Sequence, residues 1–249
     1  MKIVMLGKTG LRVSALSIGT DYRHIYGRPE IGSPILRRGL ELGVNFWDTS
    51  DDYGAHPSIR EALKDLDRSR VVIASKTFGI RGSEVRESLE RSFREMGVDY
   101  IDIYMLHAVD EPDEIRRRSS AIEAMLDAKR RGLIRAIGLS THAASVAREA
   151  AHLREIDVVL AVANRTGARI SEGTLAEMLD ALRQLYEAGK GVCIMKPLGR
   201  GALSGNVKEA LTYVLTIPHV HSVSVGITNL KELEADVRIA EKAACAKCT

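Results

Sequence analysis

The sequence contains little cysteine and few aromatic residues. Only three of its 249 residues are cysteine, and only 4% are aromatic. Because three cysteines cannot all pair, we expect no disulfide framework, and a reducing compartment fits this composition best. Cys193 lies within an apolar segment, where a thiol behaves as a small hydrophobic side chain.

Long apolar runs and an excess of one charge are also missing. No apolar run approaches the roughly 18 residues that a membrane-spanning helix needs, and Gly7 and Lys8 interrupt the first apolar stretch before it could form a signal peptide. The 36 Lys and Arg residues nearly balance the 33 Asp and Glu residues and form no basic stripe. We therefore expect a cytoplasmic protein without a membrane or nucleic-acid partner.

The composition is otherwise that of an ordinary globular protein. Apolar residues make up 45% of the chain and charged residues 28%, which argues against disorder and fibrous structure. No linker rich in Pro, Gly or Ser and no long charge block divides the sequence. We therefore expect residues 1–249 to form one domain.

Short β-branched segments alternate with longer segments of helical periodicity, which is typical of βαβ units. The predicted strands are residues 15–19, 45–48, 71–75, 101–106, 136–139, 158–162, 191–195 and 223–226. The predicted helices are residues 32–42, 57–65, 83–95, 119–131, 143–151, 173–188, 206–215 and 229–242. Residues 2–14 carry the turn residues of a β-hairpin. Eight strand–helix pairs in about 250 residues predict an α/β fold, a (β/α)₈ TIM barrel with a short N-terminal β-hairpin.

Ionisable residues follow three of the predicted strands, at the end of the barrel where such folds place their chemistry. Asp48, Lys76 and His107 close these strands, and Tyr53 lies on the loop after Asp48. An Asp and a Lys at the mouth of one barrel are expected to pair, and an ammonium group beside a phenol lowers its pKa. Tyr53 would then be a tuned proton donor to a carbonyl oxygen that His107 also contacts.

Each of these residues has an ordinary structural explanation when it is taken alone. Asp48 could cap a helix, and a lone His, a Lys after a strand or a Tyr in a turn is common. Their joint occurrence favours carbonyl reduction. Since no side chain supplies hydride, this chemistry needs a nicotinamide or a flavin. The neighbouring Asp51 and Asp52 are expected to be solvated loop carboxylates.

At these positions the sequence resembles the aldo-keto reductases. The similar segments are GVNFWDTSDDYG at 43–54, ASK at 74–76 and DYIDIYMLH at 99–107, and the likeness extends from Leu6 to about Ala240. The resemblance implies that Tyr53 is the general acid, that Lys76 and Asp48 tune it, and that His107 orients the carbonyl group.

The resemblance also implies a site for NAD(P)H. The implied contacts are Gly19, Thr20, Asp21, Ser140, Thr141, Met195, Lys196, Leu198, Gly199, Arg200, Gly226, Thr228, Glu232 and Asp236. Lys196 and Arg200 flank a glycine-bearing turn that could meet a pyrophosphate. Thr141, Leu160 and Met195 depart from the family pattern, which more often has Asn, Gln and an aromatic residue there.

Thr228 and Glu232 stand where members that prefer the 2′-phosphorylated cofactor usually have Arg or Lys. A carboxylate repels a 2′-phosphate but accepts a hydrogen bond from a ribose hydroxyl. The pattern therefore favours NADH, unless Lys231 turns inwards.

Cys245 and Cys248 resemble the cysteines of a family branch that carries a C-terminal iron–sulfur extension. Two cysteines cannot complete a four-thiolate cluster, and Cys193 is predicted inside the barrel, so we expect no metal.

Three classes of function are compatible with a barrel of this kind. The leading hypothesis is a nicotinamide-dependent oxidoreductase that acts on a small aldehyde or ketone, and the alternative is a cofactor-binding sensor with little turnover. A metal-dependent hydrolase is disfavoured, because no His-x-His pair ends the first strand and because His107 and His142 have no evident carboxylate partner. The one such pair, His219 and His221, precedes the last strand. The sequence leaves the oligomeric state open.

Overall fold

Eight parallel strands close into a barrel in the computed structural model, which describes the backbone of residues 1–246 and the side chains of residues 1–244. A two-stranded antiparallel hairpin, β1 (Ile3–Met5) and β2 (Arg12–Ser14), precedes the barrel. The barrel strands are β3 (Leu16–Gly19), β4 (Phe46–Asp48), β5 (Val72–Thr77), β6 (Ile101–Leu106), β7 (Ile134–Thr141), β8 (Val158–Val162), β9 (Gly191–Met195) and β10 (Ser222–Gly226). The strand β10 pairs with both β3 and β9, which completes the ring. This confirms the predicted (β/α)₈ TIM barrel with its N-terminal hairpin.

Ten helices lie within the described residues. They are α1 (Arg23–Tyr26), α2 (Pro29–Glu41), α3 (His56–Leu63), α4 (Gly82–Met96), α5 (Pro112–Arg117), α6 (Ser119–Arg130), α7 (Ala144–Ala150), α8 (Leu175–Glu187), α9 (Val207–Thr216) and α10 (Leu230–Ala246). Eight of them are the predicted helices with shifted ends. The prediction began the first of these at residue 32, whereas the helix begins at Pro29, because proline suits a first turn whose N–H groups need no intrahelical partner. The short helices α1 and α5 were not predicted.

Apolar side chains fill the barrel interior and close its amino end. The interior cluster consists of Leu6, Leu11, Val13, Phe46, Val72, Ala74, Ile103, Met105, Ala136, Val158, Leu160 and Cys193. Three of these residues, Leu6, Leu11 and Val13, come from the hairpin or its turn, so the hairpin covers the amino end of the barrel. A larger cluster packs between the strands and the helices. The ionisable residues Asp48 and Lys76 lie at the carboxyl ends of β4 and β5.

No helix among the described residues combines the length and the apolar character needed to cross a bilayer.

Candidate active site

A buried ion pair joins two neighbouring strands at the carboxyl end of the barrel. Asp48 is the last residue of β4 and Lys76 the penultimate residue of β5, and Asp48 Oδ1 lies 2.6 Å from Lys76 Nζ. The ammonium also donates to the carbonyl oxygen of Thr49 at 2.7 Å, and Ser224 Oγ donates to Asp48 Oδ2 at 2.9 Å. Burial lowers the pKa of Lys76, but Asp48 and Tyr53 raise it above its usual value. Lys76 is therefore a fixed cation.

The phenol of Tyr53 lies next to this cation. Lys76 Nζ is 4.8 Å from the centroid of the Tyr53 ring. Burial raises the pKa of Tyr53 to about 12, and Lys76 opposes this shift while Asp48 adds to it. The expectation that the ammonium makes the phenol more acidic than usual is therefore wrong in its net direction, because the loss of hydration outweighs the attraction to the cation. Tyr53 keeps its proton throughout the neutral pH range.

The imidazole of His107 lies beside Tyr53, immediately after β6. His107 Nε2 is 3.5 Å from Tyr53 Oη, and the opposite ring nitrogen, Nδ1, is 3.0 Å from Ser50 Oγ. Phe78 stacks on the imidazole with a centroid separation of 4.2 Å. The pKa of His107 is lowered, chiefly by burial. The structure thus brings together Tyr53, predicted from the loop, and the three residues predicted from strand ends, Asp48, Lys76 and His107.

Asp51 is not the solvated carboxylate that the sequence led us to expect, whereas Asp52 is exposed to solvent as expected and also contacts His107. Asp51 accepts hydrogen bonds from Arg91 at 3.2 Å and from Ser88. Asp52 accepts a hydrogen bond from Ser50, and its Oδ1 lies 3.5 Å from Nδ1 of His107. Burial raises the pKa of Asp52, but the contacts with His107 and Ser50 lower it by more, so that the net pKa is about 2. The prediction fails for Asp51 because Ser88 and Arg91 of α4 cover its carboxylate.

A cavity of about 440 Å³ opens beside Tyr53 and runs along the ends of β3, β9 and β10. Ten of the predicted cofactor residues line it: Gly19, Asp21, Met195, Lys196, Leu198, Arg200, Gly226, Thr228, Glu232 and Asp236. Asp48 and Tyr53 belong to the same wall. Thr20, Ser140, Thr141 and Gly199 are not among its lining residues. Thr20 and Ser140 are fully buried, where Thr20 donates to the Asp48 carbonyl group and Ser140 Oγ accepts from the backbone N–H of Ala108.

One end of this cavity suits a pyrophosphate. Lys196 and Arg200 are the cations among its lining residues. Lys196, Gly199, Arg200 and Gly201 all have positive φ, and a turn of this kind can aim successive backbone N–H groups at an anion. Tyr22, which the sequence reasoning missed, also lines the cavity and approaches Gly226 so closely that a Cβ there would lie 2.4 Å from its ring. The glycine is what lets this aromatic ring lie against β10.

A row of hydrogen-bonded polar side chains leads from Asp110 through His142 to Lys196. His142 Nδ1 is 3.0 Å from Asp110 Oδ2, and His142 Nε2 contacts the ammonium group of Lys196. The expectation that His107 and His142 have no carboxylate partner is therefore wrong. Asp52 lies beside His107, and the loop after β6 carries Asp110 to His142. Burial, with the nearby charge of Arg200, lowers the pKa of Lys196. No sequence pattern indicated this contact, because it depends on the paths of three loops.

The part of the cavity wall that β10 and α10 contribute is acidic. Glu232 Oε2 accepts hydrogen bonds from the backbone N–H and the hydroxyl group of Thr228, both at 2.8 Å. Burial and the charge of Glu232 raise the pKa of Asp236 to about 7. Lys231 is exposed and is not among the residues that line the cavity. Carboxyl and hydroxyl groups therefore line this part of the cavity.

The cysteine and metal predictions concern different parts of the chain. Cys193 is buried in the barrel interior, where burial raises the pKa of its thiol. Within residues 1–244, no three side chains of His, Cys, Asp or Glu approach closely enough to hold a metal ion. Cys248 and the side chain of Cys245 lie outside the described part of the chain.

Comparison of the sequence with those of known proteins shows a match to one family. Residues 29–210 match the sequence profile of the Aldo/keto reductase family. The chain is 30% identical to "Probable aldo-keto reductase 1" of Glycine max, over 81% of this chain and 61% of that relative, so it spans less than two thirds of the relative's length. It is 26% identical to L-galactose dehydrogenase of Arabidopsis thaliana, over 93% of this chain and 86% of that protein.

Solved structures show the same likeness. A Pseudomonas aeruginosa protein described as an aldo-keto reductase superposes with a TM-score of 0.82 at 26% identity, covering 97% of this chain and 96% of the other. The holo form of a Bacillus halodurans aldo-keto reductase gives a TM-score of 0.81 at 24% identity, covering 97% and 91%. The second likeness supports the fold alone.

Proposed function

Because this chain belongs to the aldo/keto reductase family, whose members are oxidoreductases that act on carbonyl compounds, we propose that it reduces an aldehyde or ketone with NAD(P)H and with Tyr53 as the proton donor. The observation that carries the proposal is the position of Tyr53. Its phenol lies between the Asp48–Lys76 ion pair and Nε2 of His107, in the wall of the cavity.

The residues of this chain supply the proton and hold the carbonyl group. A dinucleotide held in the cavity would supply the hydride for the carbonyl carbon. Tyr53 Oη gives its proton to the carbonyl oxygen as negative charge develops there, which leaves a phenolate on Tyr53. The fixed ammonium of Lys76 stabilises that phenolate, and Asp48 holds the ammonium in place. His107 Nε2 lies close enough to Tyr53 to contact the same oxygen.

The chemistry of the cavity fits a dinucleotide. We assign the pyrophosphate to Lys196, Arg200 and the backbone of residues 196–201, because positive charge and positive-φ glycines coincide there. We assign the adenosine ribose to the corner formed by Thr228 and Glu232. Gly19, Asp21, Met195, Leu198, Gly226 and Asp236 complete the proposed wall. Thr20, Ser140, Thr141 and Gly199, which the family resemblance also implies as cofactor contacts, are not among the residues that line the cavity. The Asp110–His142 pair would keep Lys196 oriented.

The acidic corner supports NADH as the preferred cofactor. A 2′-phosphate at this corner would meet the Glu232 carboxylate, and neither Lys196 nor Arg200 lies on α10 or on the loop before it. A ribose hydroxyl group could instead donate to that carboxylate.

The test is turnover with both reduced dinucleotides against a panel of small aldehydes and ketones. We expect the purified protein to oxidise the reduced cofactor only when a carbonyl compound is present, and to show a lower KM for NADH than for NADPH. Tyr53→Phe is the matched control, since it removes one hydroxyl group and keeps the ring. If the wild type binds dinucleotide but is no faster than this variant on every carbonyl compound, the protein is a cofactor-binding sensor and the proposal is wrong.

A further inference from the structure

Two oxygen atoms lie against the ring nitrogen of His107 that faces away from Tyr53. Ser50 Oγ is 3.0 Å from Nδ1, and Asp52 Oδ1 is 3.5 Å from the same atom. The hydroxyl group of Ser50 donates its hydrogen to Asp52. The other nitrogen, Nε2, is 3.5 Å from Tyr53 Oη. The four groups form a continuous chain from Asp52 through the imidazole to the phenol.

These contacts determine where the imidazole carries its hydrogen. A carboxylate has no hydrogen to donate, and Ser50 already uses its hydroxyl hydrogen on Asp52. With its hydrogen on Asp52, the shortest of its contacts, Ser50 is an acceptor towards Nδ1, as Asp52 is, and this arrangement places the ring hydrogen on Nδ1. Nε2 of the neutral ring then has a lone pair directed at Tyr53, and it becomes a donor only when His107 is protonated.

We propose that Asp52, together with Ser50, is a positioning residue that holds a hydrogen on Nδ1 of His107 and favours the protonated ring, so that Asp52 sets the pH above which Nε2 stops donating to the carbonyl oxygen. This role rests on the proposed reductase function. The proton transfer from Tyr53 does not itself require the Asp52 carboxylate, and this role explains why the carboxylate lies beside His107.

The groups around the imidazole show why Asp52 matters. The loop after β4 contributes Asp52, Ser50 and Tyr53, and Asp48 lies at the end of that strand. The strand β5 and its loop contribute the cation of Lys76 and the stacked ring of Phe78, and Arg118 donates to the His107 carbonyl oxygen at 3.0 Å. Burial and Lys76 disfavour the protonated ring, whereas Asp52 and, more weakly, Asp48 favour it. Asp52 is the carboxylate in contact with the ring.

A purely structural explanation would make Asp52 a turn residue that only binds Ser50. Asp52→Asn separates the two explanations, because asparagine keeps the size and a hydrogen-bond acceptor but removes the charge. Asp113→Asn is the matched control. Asp113 lies on α5 at the same end of the barrel, is exposed and pairs with Arg116, and it has no contact with the site.

The test is a histidine ring titration by ¹H–¹⁵N NMR on the full chain, with the His107 signals assigned from their loss in His107→Gln. We expect the wild-type ring, when neutral, to be protonated on Nδ1. In Asp52→Asn its titration midpoint should fall by about half a pH unit or more, while Asp113→Asn leaves it unchanged. The alkaline limb of kcat/KM for carbonyl reduction should move to lower pH by the same amount, with the KM for the dinucleotide unaffected.

The outcomes separate this inference from the proposed function. A neutral wild-type ring that carries its hydrogen on Nε2, or a midpoint that is the same in Asp52→Asn and Asp113→Asn, overturns the inference. The tautomer is read on the unmodified protein, so this result does not depend on a variant that folds. If the midpoint shifts as expected but no carbonyl compound is reduced, the positioning of His107 stands and the reductase proposal fails.

Discussion

At the scale of single residues, burial and pairing compete at each titratable group of the site. Lys76 is buried, but its two partners outweigh the loss of hydration and keep it charged. Tyr53 has one cation nearby, and burial still dominates, with a pKa of about 12. A phenol that is protonated at neutral pH suits the reductive direction, because the group must give up a proton and not accept one.

Asp236 should make cofactor binding depend on pH. Since its pKa is raised to about 7 by burial and by Glu232, the carboxyl group is neutral below that value and anionic above it. The new anion faces the same cavity as the proposed phosphate site, so the affinity for NADH should fall by up to about tenfold as the pH rises from about 6 to about 8. Fluorescence titration of NADH at several pH values measures this dependence.

The matched variants are Asp236→Asn, which should flatten the dependence, and Glu234→Gln, which should preserve it. Glu234 lies on the same helix, α10, but pairs with Arg38 on α2. An equal pH dependence in wild type and Asp236→Asn would show that another group controls dinucleotide binding in this range.

At the scale of elements, the hairpin covers the amino end of the barrel, and its turn approaches the segment before β9 very closely. Gly7 has a φ of +52°, and a Cβ there would lie 2.4 Å from the carbonyl carbon of Lys190. The backbone N–H of Lys8 also donates to the carbonyl oxygen of Gly189 at 2.9 Å. The turn between β1 and β2 therefore lies directly against the segment that leads into β9.

Gly7→Ala should be more destabilising than Gly10→Ala. Both glycines have positive φ, so each substitution costs about 1–2 kcal/mol of backbone strain, but a Cβ added at Gly10 would point into open space. The clash at Gly7 should add at least about 1 kcal/mol to the loss in free energy of unfolding, within the range seen for overpacking. Urea denaturation measures both losses of unfolding free energy. Equal losses would mean that the close approach of Gly7 to Lys190 does not stabilise the contact between the hairpin and the barrel.

The elements that the sequence predicted are those whose patterns extend over several residues. The strands β6, β8 and β9 were predicted to the residue, since each is a continuous buried run. The ends of β5 and β7 extend beyond the prediction to Thr77 and Thr141, because pairing in the closed sheet carries the strands past their last apolar residue. Helices α1 and α5 have only four and six residues, too few for helical periodicity to show.

At the scale of the whole molecule, the barrel separates packing from chemistry. Apolar side chains make up most of its interior, and the ionisable groups of the candidate site meet at the carboxyl end. This separation is why Asp48, Lys76 and His107 could be predicted to converge from strand ends alone. The contacts of Asp52 with His107, and of His142 with Lys196 and Asp110, could not be predicted. They depend on how long loops fold back over the barrel mouth, and no periodic pattern encodes those paths.

The central claim is that Tyr53 delivers the proton, and the most direct measurement is the single-turnover rate of carbonyl reduction by Tyr53→Phe with dinucleotide bound. Fluorescence titration first establishes that the variant and the wild type bind the dinucleotide equally. We predict that the variant loses at least about 10²-fold in rate, the usual contribution of a general acid, and that only the wild type shows a solvent deuterium isotope effect. A variant that reduces the carbonyl compound within a few-fold of the wild-type rate would contradict the account.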